Sequence, residues 1–177
     1  GGGLLEGTIQ PITALQPLDR TQRGPLERLT ASVRTSNLPS HVAERMAARI
    51  ASRLPARKLH LDTAEVPAQS PGAWCLLVAD YREAIAGFDG LGELRKPAEK
   101  VADEAVDAYE AFERSGAAVD RHLADQLLLP LALAAGTSRF TTEAVSEHML
   151  TNAAVIRQFL PACVIDVRGK KGQPGTV

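Results

Sequence analysis

The spacing of apolar residues changes repeatedly along this chain, and each change marks a different kind of element. Residues 4–16 and 24–35 ("GPLERLTASVRT") read as extended segments, bounded by Pro17 and by Arg23-Gly24-Pro25. From Ser40 the period lengthens. In "SHVAERMAARIASRL", Val42, Met46, Ile50 and Leu54 recur every four positions behind a serine able to cap the first turn. The spacing predicts a helix that Pro55 ends. Short extended runs follow at residues 59–61 and in "GAWCLLVADY", whose nearly continuous apolar text suits a strand covered on both faces. Residues 17–88 therefore read as a small α/β unit.

After Gly92 the helical period takes over. "KPAEKVADEAVDAYEAFERS" has Pro97 at a tolerated first-turn position and an apolar stripe through Val101, Ala105, Tyr109 and Phe112, until Gly116 stops it. A second helix, "VDRHLADQLLLPLALA", contains Pro130, which should kink it or free one carbonyl. "SRF" reads as a short strand, residues 149–160 as a helix and "ACVIDVR" as a last strand, followed by a polar, glycine-rich tail, "GKKGQPGTV", expected to be mobile. Helices and strands without strict alternation predict an α+β fold. The opening "GGGLLEGTIQPI" lacks an initiator methionine; its glycines read either as an added terminal segment or as the interior of a longer protein, and the strand-like text that follows without a linker favours the second.

Composition narrows the class. At 177 residues with 45% apolar and 23% charged positions, the chain can build one packed domain with a small insertion; aromatics at 4% leave the core to Leu, Val, Ile and Ala. A formal net charge of −1 argues against a surface that is a polyanion trap throughout, though not against a local basic groove. Cys75 and Cys163 lie far apart in apolar runs, which excludes a disulfide framework and reads as buried small hydrophobes. No stretch of eighteen apolar residues and no leader-like segment occurs, so the expected location is cytoplasmic, with no membrane partner.

Several residues carry candidate chemistry. His122, Asp125 and Gln126 stand three and four apart and project from neighbouring positions of one helix that is otherwise almost wholly Leu and Ala; they form either a solvated face or the lining of a site. His148, in "EAVSEHMLTN", sits among Ser146, Glu147, Thr151 and Asn152, a cluster able to orient an imidazole, and its type serves equally as nucleophile, base or metal ligand. His41, His60, His122 and His148 lack metal-ligand spacing. Arg45, Arg49, Arg53, Arg57 and Lys58 form a basic row, solvated or phosphate-touching, with Lys170 and Lys171 as a weaker second instance. No P-loop, GxGxxG or RNA-recognition aromatic pair is present.

"RGPLERL", "LPSHVAERMAARI", "SPGAWCLLVAD", "KPAEKVADEAV", "HLADQLLLPLALA" and "HMLTNAAVIRQFLP", together with the opening "GGG", stand in the order found in RNA 3'-terminal phosphate cyclases, and nearly the whole chain resembles the C-terminal half of that family. The resemblance implies a reaction in which a histidine takes AMP from ATP, the AMP passes to an RNA 3'-phosphate, and the 2'-hydroxyl closes a 2',3'-cyclic phosphate. His148 matches the adenylated histidine. His122, Leu123, Ala124, Asp125 and Gln126 match the nucleotide-binding stretch, with His122 against the adenine, Gln126 hydrogen-bonding, and Asp125 near the phosphates and a divalent ion, Mg²⁺ or Mn²⁺.

The fold so implied is a large domain of repeated two-helix, four-strand units with an inserted thioredoxin-like domain: residues 17–88 as the insert, residues 1–16 and 89–177 as the end of the large domain. The partners implied are RNA 3'-phosphate ends and the N-terminal half of the cyclase, which supplies arginines and a glutamate; a homodimer is among the assemblies allowed. The 177-residue segment alone is expected to be inactive. One departure is "GELRKPAEK", which lacks a glycine the family usually carries nearby. The alternatives are a non-catalytic cyclase-like protein acting in ribosomal RNA processing, against which His148 speaks, and a site-free interaction domain with His148 turned to bulk water, away from Asp125.

Overall fold

A computed structural model of the chain describes residues 6–8, 14–55 and 59–177. The expected extended segment at 4–16 falls mostly outside them. The described elements run β1 (Asp19–Arg20), β2 (Leu26–Ser36), α1 (Ser40–Arg53), β3 (Leu59–Glu65), β4 (Gly72–Tyr81), β5 (Ile85–Leu91), α2 (Ala98–Ser115), α3 (Arg121–Ala132), β6 (Arg139–Thr142), α4 (Glu147–Phe159) and β7 (Gly175–Thr176). The α+β class read from the pattern holds.

The first core is built on a four-stranded sheet of order β3-β2-β4-β5, with β2 and β3 parallel across α1 and the other pairs antiparallel. Strand alternation sends Leu29, Ala31 and Val33 of β2, Cys75, Leu77 and Ala79 of β4, and Phe88 of β5 inward, where they meet Met46, Ile50 and Leu54 from the α1 stripe and Val101, Ala105, Tyr109 and Phe112 from α2. The opposite face of β4 is only half covered, with Trp74 37% exposed, so this strand is not sealed on both sides. Its apolar run reflects its central position in the sheet rather than a second helical layer.

A second core joins α3, β6, α4 and the chain's end through Ala124, Leu128, Phe140, Met149, Ala153 and Ile156. The division expected after residue 88 cuts through β5; the hydrophobic packing places the break at Gly116, where α2 ends in the left-handed conformation, so residues 89–115 pack on the first sheet. The glycines of "IAGFDGL" disguise a strand. At Gly90 a Cβ would lie 2.0 Å from the Val101 carbonyl oxygen, so the missing side chain lets α2 lie against β5. Gly90→Ala is expected to cost about 2–3 kcal/mol, the scale of overpacking a tight contact. Thermal unfolding checks it, and an unchanged Tm would show that helix and strand part freely.

Other local expectations change too. Ser40 is the first helical residue and Pro39 the cap, with no side-chain cap bond. Pro130 ends α3 within two residues instead of kinking a longer helix. "ACVIDVR" forms no strand ladder; it has a single bridge, Arg168 to Thr176, among the described residues. The tail is built into the second unit. β7 pairs antiparallel with β6, and Val177 and Phe140 exchange hydrogen bonds of 3.0 Å.

Candidate functional site

Two helix starts stand side by side. The chain before α3 and the strand before α4 are joined in parallel by Val119 N–H to the Thr141 carbonyl at 3.0 Å and Glu143 N–H to the Val119 carbonyl at 3.1 Å. Each segment then turns into a helix. Asp120 caps α3, its carboxylate accepting from His122 N–H at 2.8 Å and Leu123 N–H at 2.9 Å; Ser146 caps α4, its hydroxyl accepting from Met149 N–H at 3.0 Å. Across the junction the Arg121 Nε donates to Glu143 at 2.7 Å, and Glu143 is almost fully buried. His122 and His148 are therefore both the second residue of neighbouring helices that leave the same end of paired strands.

Packing sets what each side chain can do. Ala124 and Leu128 of α3 and Met149, Ala153 and Ile156 of α4 fill the shared core, which turns Asp125 half outward and leaves His122, Gln126 and His148 exposed. Ala124 of the nucleotide-binding match is buried structure, and Leu123 is 37% exposed. Two members of the cluster around His148 are engaged: Ser146 in the cap of α4, and the Glu147 carboxylate in a pair with Lys171. That ammonium, first, and the nearby His148 hold the Glu147 carboxyl below its ordinary range. Exposure of His148 is common to the nucleophile reading and to the site-free one; the adjacency of the two helix starts is what favours a site.

Among the described residues no group of three or more His, Cys, Asp or Glu side chains converges on one point. A single carboxylate such as that of Asp125 would serve only a magnesium ion carried in by phosphates, which binds through one or two carboxylates and keeps its remaining positions for phosphate and water. An open groove of about 1100 Å³ lies at the far ends of α3 and α4, lined by residues that include Leu131, Phe140, Phe159, Cys163 and Ile165. A smaller one of about 410 Å³ separates the two units beside Ile85, Leu123 and Leu127. Neither is lined by the two histidines.

Three arginines of the basic row are engaged by acidic side chains of α2. Arg45 forks onto Glu99 with two bonds of 2.7 Å, Arg49 reaches Asp103 at 2.7 Å, and Arg53 bridges Asp103, Asp107 and Glu110 within 2.9 Å. These arginines clamp α1 to α2, and their hydrogen bonds hold the Glu99 and Asp103 carboxyls below the ordinary range. Arg57 and Lys58 lie outside the described residues. Cys75 is fully buried, and burial pushes its thiol up to about 11, so it stays an inert core group. The residue that pattern reading undervalued is Lys171; "GKKG" signalled charge but not its place beside Glu147.

Residues 21–110 match the family described as "RNA 3'-terminal phosphate cyclase (RTC), insert domain". Relatives named RNA 3'-terminal phosphate cyclase include one from Nostoc punctiforme, 42% identical over 163 residues that cover 90% of this chain and 46% of the relative. Another, from Methylococcus capsulatus, is 43% identical over 157 residues, covering 88% and 43%. A third, from Methanopyrus kandleri, is 38% identical over 187 residues, covering 100% and 53%. The chain spans about half the length of these relatives. Among the described residues no helix is long and apolar enough to cross a membrane.

Proposed function

The chain belongs to the RNA 3'-terminal phosphate cyclase family, and from that premise we propose that it is the C-terminal part of an enzyme that uses ATP to convert an RNA 3'-phosphate into a 2',3'-cyclic phosphate. The observation that carries this reading is the pairing of the two helix starts, which brings "HLADQ" and "HMLTN" to the same strand ends. In open sheets that is where phosphorylated ligands bind.

In this reading a neutral imidazole nitrogen of His148 attacks the α-phosphorus of ATP. An N–P bond forms, the bond from the α-phosphorus to the bridging oxygen breaks, and pyrophosphate leaves with the electron pair. An oxygen of the RNA 3'-phosphate then takes the AMP from His148. Finally the adjacent 2'-oxygen attacks the 3'-phosphorus, gives up its proton and expels AMP. His122 would lie along the base, Gln126 would hydrogen-bond the nucleotide, and Asp125 would hold a magnesium ion that screens the triphosphate. Exposure of His148 allows the in-line approach that displacement at phosphorus needs. The order β3-β2-β4-β5, with one parallel crossover followed by an antiparallel pair and a helix, supports a thioredoxin-like reading of the inserted unit.

The test joins this chain behind the preceding half of the Nostoc punctiforme relative. Incubated with α-labelled ATP and magnesium, the complete polypeptide is expected to take up acid-labile label, release it to RNA ending in a 3'-phosphate and yield cyclic ends. The 177-residue chain alone should take up little. A folded complete polypeptide that stays unlabelled overturns the reading, and strong labelling of the chain alone overturns its claim that the site is divided.

A further inference from the structure

Arg121, beside His122 at the start of α3, is an exposed arginine fixed from below by a buried acid. Its Nε donates to one Glu143 carboxylate oxygen at 2.7 Å, and its own backbone N–H donates to the same oxygen at 3.3 Å. Backbone and side chain are thus tied to one atom, which removes most of the freedom of the methylene stem between them. The Glu143 side chain is only 6% exposed, whereas that of Arg121 is 46% exposed. Arg28 and Arg82 also pair through Nε, but their partners Asp80 and Glu27 are 23% and 55% exposed. Taking a carboxylate out of water is costly, and an arginine that merely faces solvent does not require it.

What the buried acid leaves free is the reactive end of the guanidinium. Neither Nη1 nor Nη2 of Arg121 makes a hydrogen bond among the described residues, and these two nitrogens carry most of its N–H donors in one plane. Glu143 stands on the segment that is bonded to Val119 and leads into α4, so the ion pair spans the junction from which the helices of His122 and His148 leave. The acids nearest in the chain are otherwise engaged: Asp120 accepts from two N–H groups of α3, and Glu147 pairs with Lys171. A planar fork with both tips free matches two oxygens of a phosphate group, and holding it in advance lowers the cost of ordering it on binding. We propose that Arg121 is a phosphate-binding residue of this site, fixed by Glu143 so that its two terminal nitrogens meet two non-bridging oxygens of one phosphate group. This role rests on the function proposed above, in which phosphate arrives from two sources, the triphosphate of ATP and the 3'-end of the RNA.

The experiment adds inorganic triphosphate, an RNA oligonucleotide ending in a 3'-phosphate, or the same oligonucleotide ending in a 3'-hydroxyl to the 177-residue chain, and follows the Arg121 Nε–H and the His122 backbone N–H by NMR. Both signals are expected to shift saturably with at least one of the two phosphate probes, and not with the 3'-hydroxyl RNA. Arg121→Lys keeps the charge and a partner for Glu143 but loses the fork. It should raise the Kd for that probe about tenfold, the scale of one charge-assisted hydrogen bond, with Tm unchanged. Weakened triphosphate binding assigns Arg121 to ATP, and weakened binding of the 3'-phosphate RNA alone assigns it to the RNA end. An Arg121 Nε–H that moves with neither probe, or lysine-variant affinities within about threefold of the original for both, overturns the proposal. Failure of the cyclase reading looks different: phosphate binding through Arg121 by a chain whose complete polypeptide captures no AMP leaves this site standing, whereas labelling without any Arg121 effect removes this proposal alone.

Discussion

His148→Asn is expected to reduce AMP capture by the complete polypeptide at least a thousandfold while leaving its melting temperature unchanged. The reaction needs a side-chain nitrogen with a free lone pair, and a carboxamide nitrogen has its pair delocalised into the carbonyl. Removing a covalent nucleophile ordinarily costs several orders of magnitude. The fold should not notice the change: His148 is exposed, the cap is made by Ser146, and Met149 fills the core from the next position. If His122 lies along the base as proposed, His122→Ala should act differently, raising the KM for ATP more than it lowers kcat, because such a group holds ground state and transition state alike. Quantified label after equal incubation decides the matter. Label on the asparagine variant at half the original level or more would mean that another residue carries the AMP.

The parts of this chain that were legible in its sequence are those in which one face alone is buried. The four-residue stripe of Val42, Met46, Ile50 and Leu54 and the stripe through Val101, Ala105, Tyr109 and Phe112 each marked their helix, because a regular period is all that docking on a sheet requires. β5 was hidden because close packing of α2 demanded glycine at position 90, and glycine reads as a loop. "ACVIDVR" misled in the opposite sense. It has strand-like alternation, with Ile165 buried and Val164 91% exposed, but no neighbouring ladder among the described residues. The basic row could not be interpreted locally either, since its acidic partners Glu99 and Asp103 stand 54 positions away in the chain.

Site legibility followed the same division. Spacing placed His122, Asp125 and Gln126 on one helix but did not separate a wet face from a site, and nothing around His148 decided its role. What raised both was the order of "HLADQ" and "HMLTN", and the fold supplies a physical reason for that order: two caps, Asp120 and Ser146, begin helices from bonded backbone segments. Lys171 became visible only through tertiary structure, because a basic tail has the same composition whether it is solvated or docked.

The largest stability effect is expected at Arg23, which precedes β2 and joins the two crossing points between the cores. Its Nη1 donates to the Phe112 carbonyl at 2.9 Å and the Ala117 carbonyl at 3.1 Å, its Nη2 donates to the Glu113 carbonyl at 2.9 Å, and the guanidinium pairs with the Glu113 carboxylate at 3.3 Å. The same plane lies 4.7 Å from the ring centroids of Tyr81 and of Phe112. Phe112 and Glu113 belong to the last turn of α2, where their carbonyls also accept from the Ser115 hydroxyl at 2.7 Å and the Gly116 N–H at 3.3 Å, so the Arg23 side chain completes the cap of α2 and ties it to the chain that enters the second core. Arg23→Ala removes all of the guanidinium's contacts from a site where only 12% of the side chain is exposed. The expected cost is about 3–5 kcal/mol, the scale of breaking a buried ion pair together with its hydrogen bonds. For a chain of this size that corresponds to a fall in Tm of roughly 10 °C. Arg23→Lys should recover less than half, since an ammonium cannot present a planar fork to three carbonyls or stack between two rings. Urea and thermal unfolding of the three proteins measure the effect. A Tm for the alanine variant within about 2 °C of the original would place the tie between the cores elsewhere.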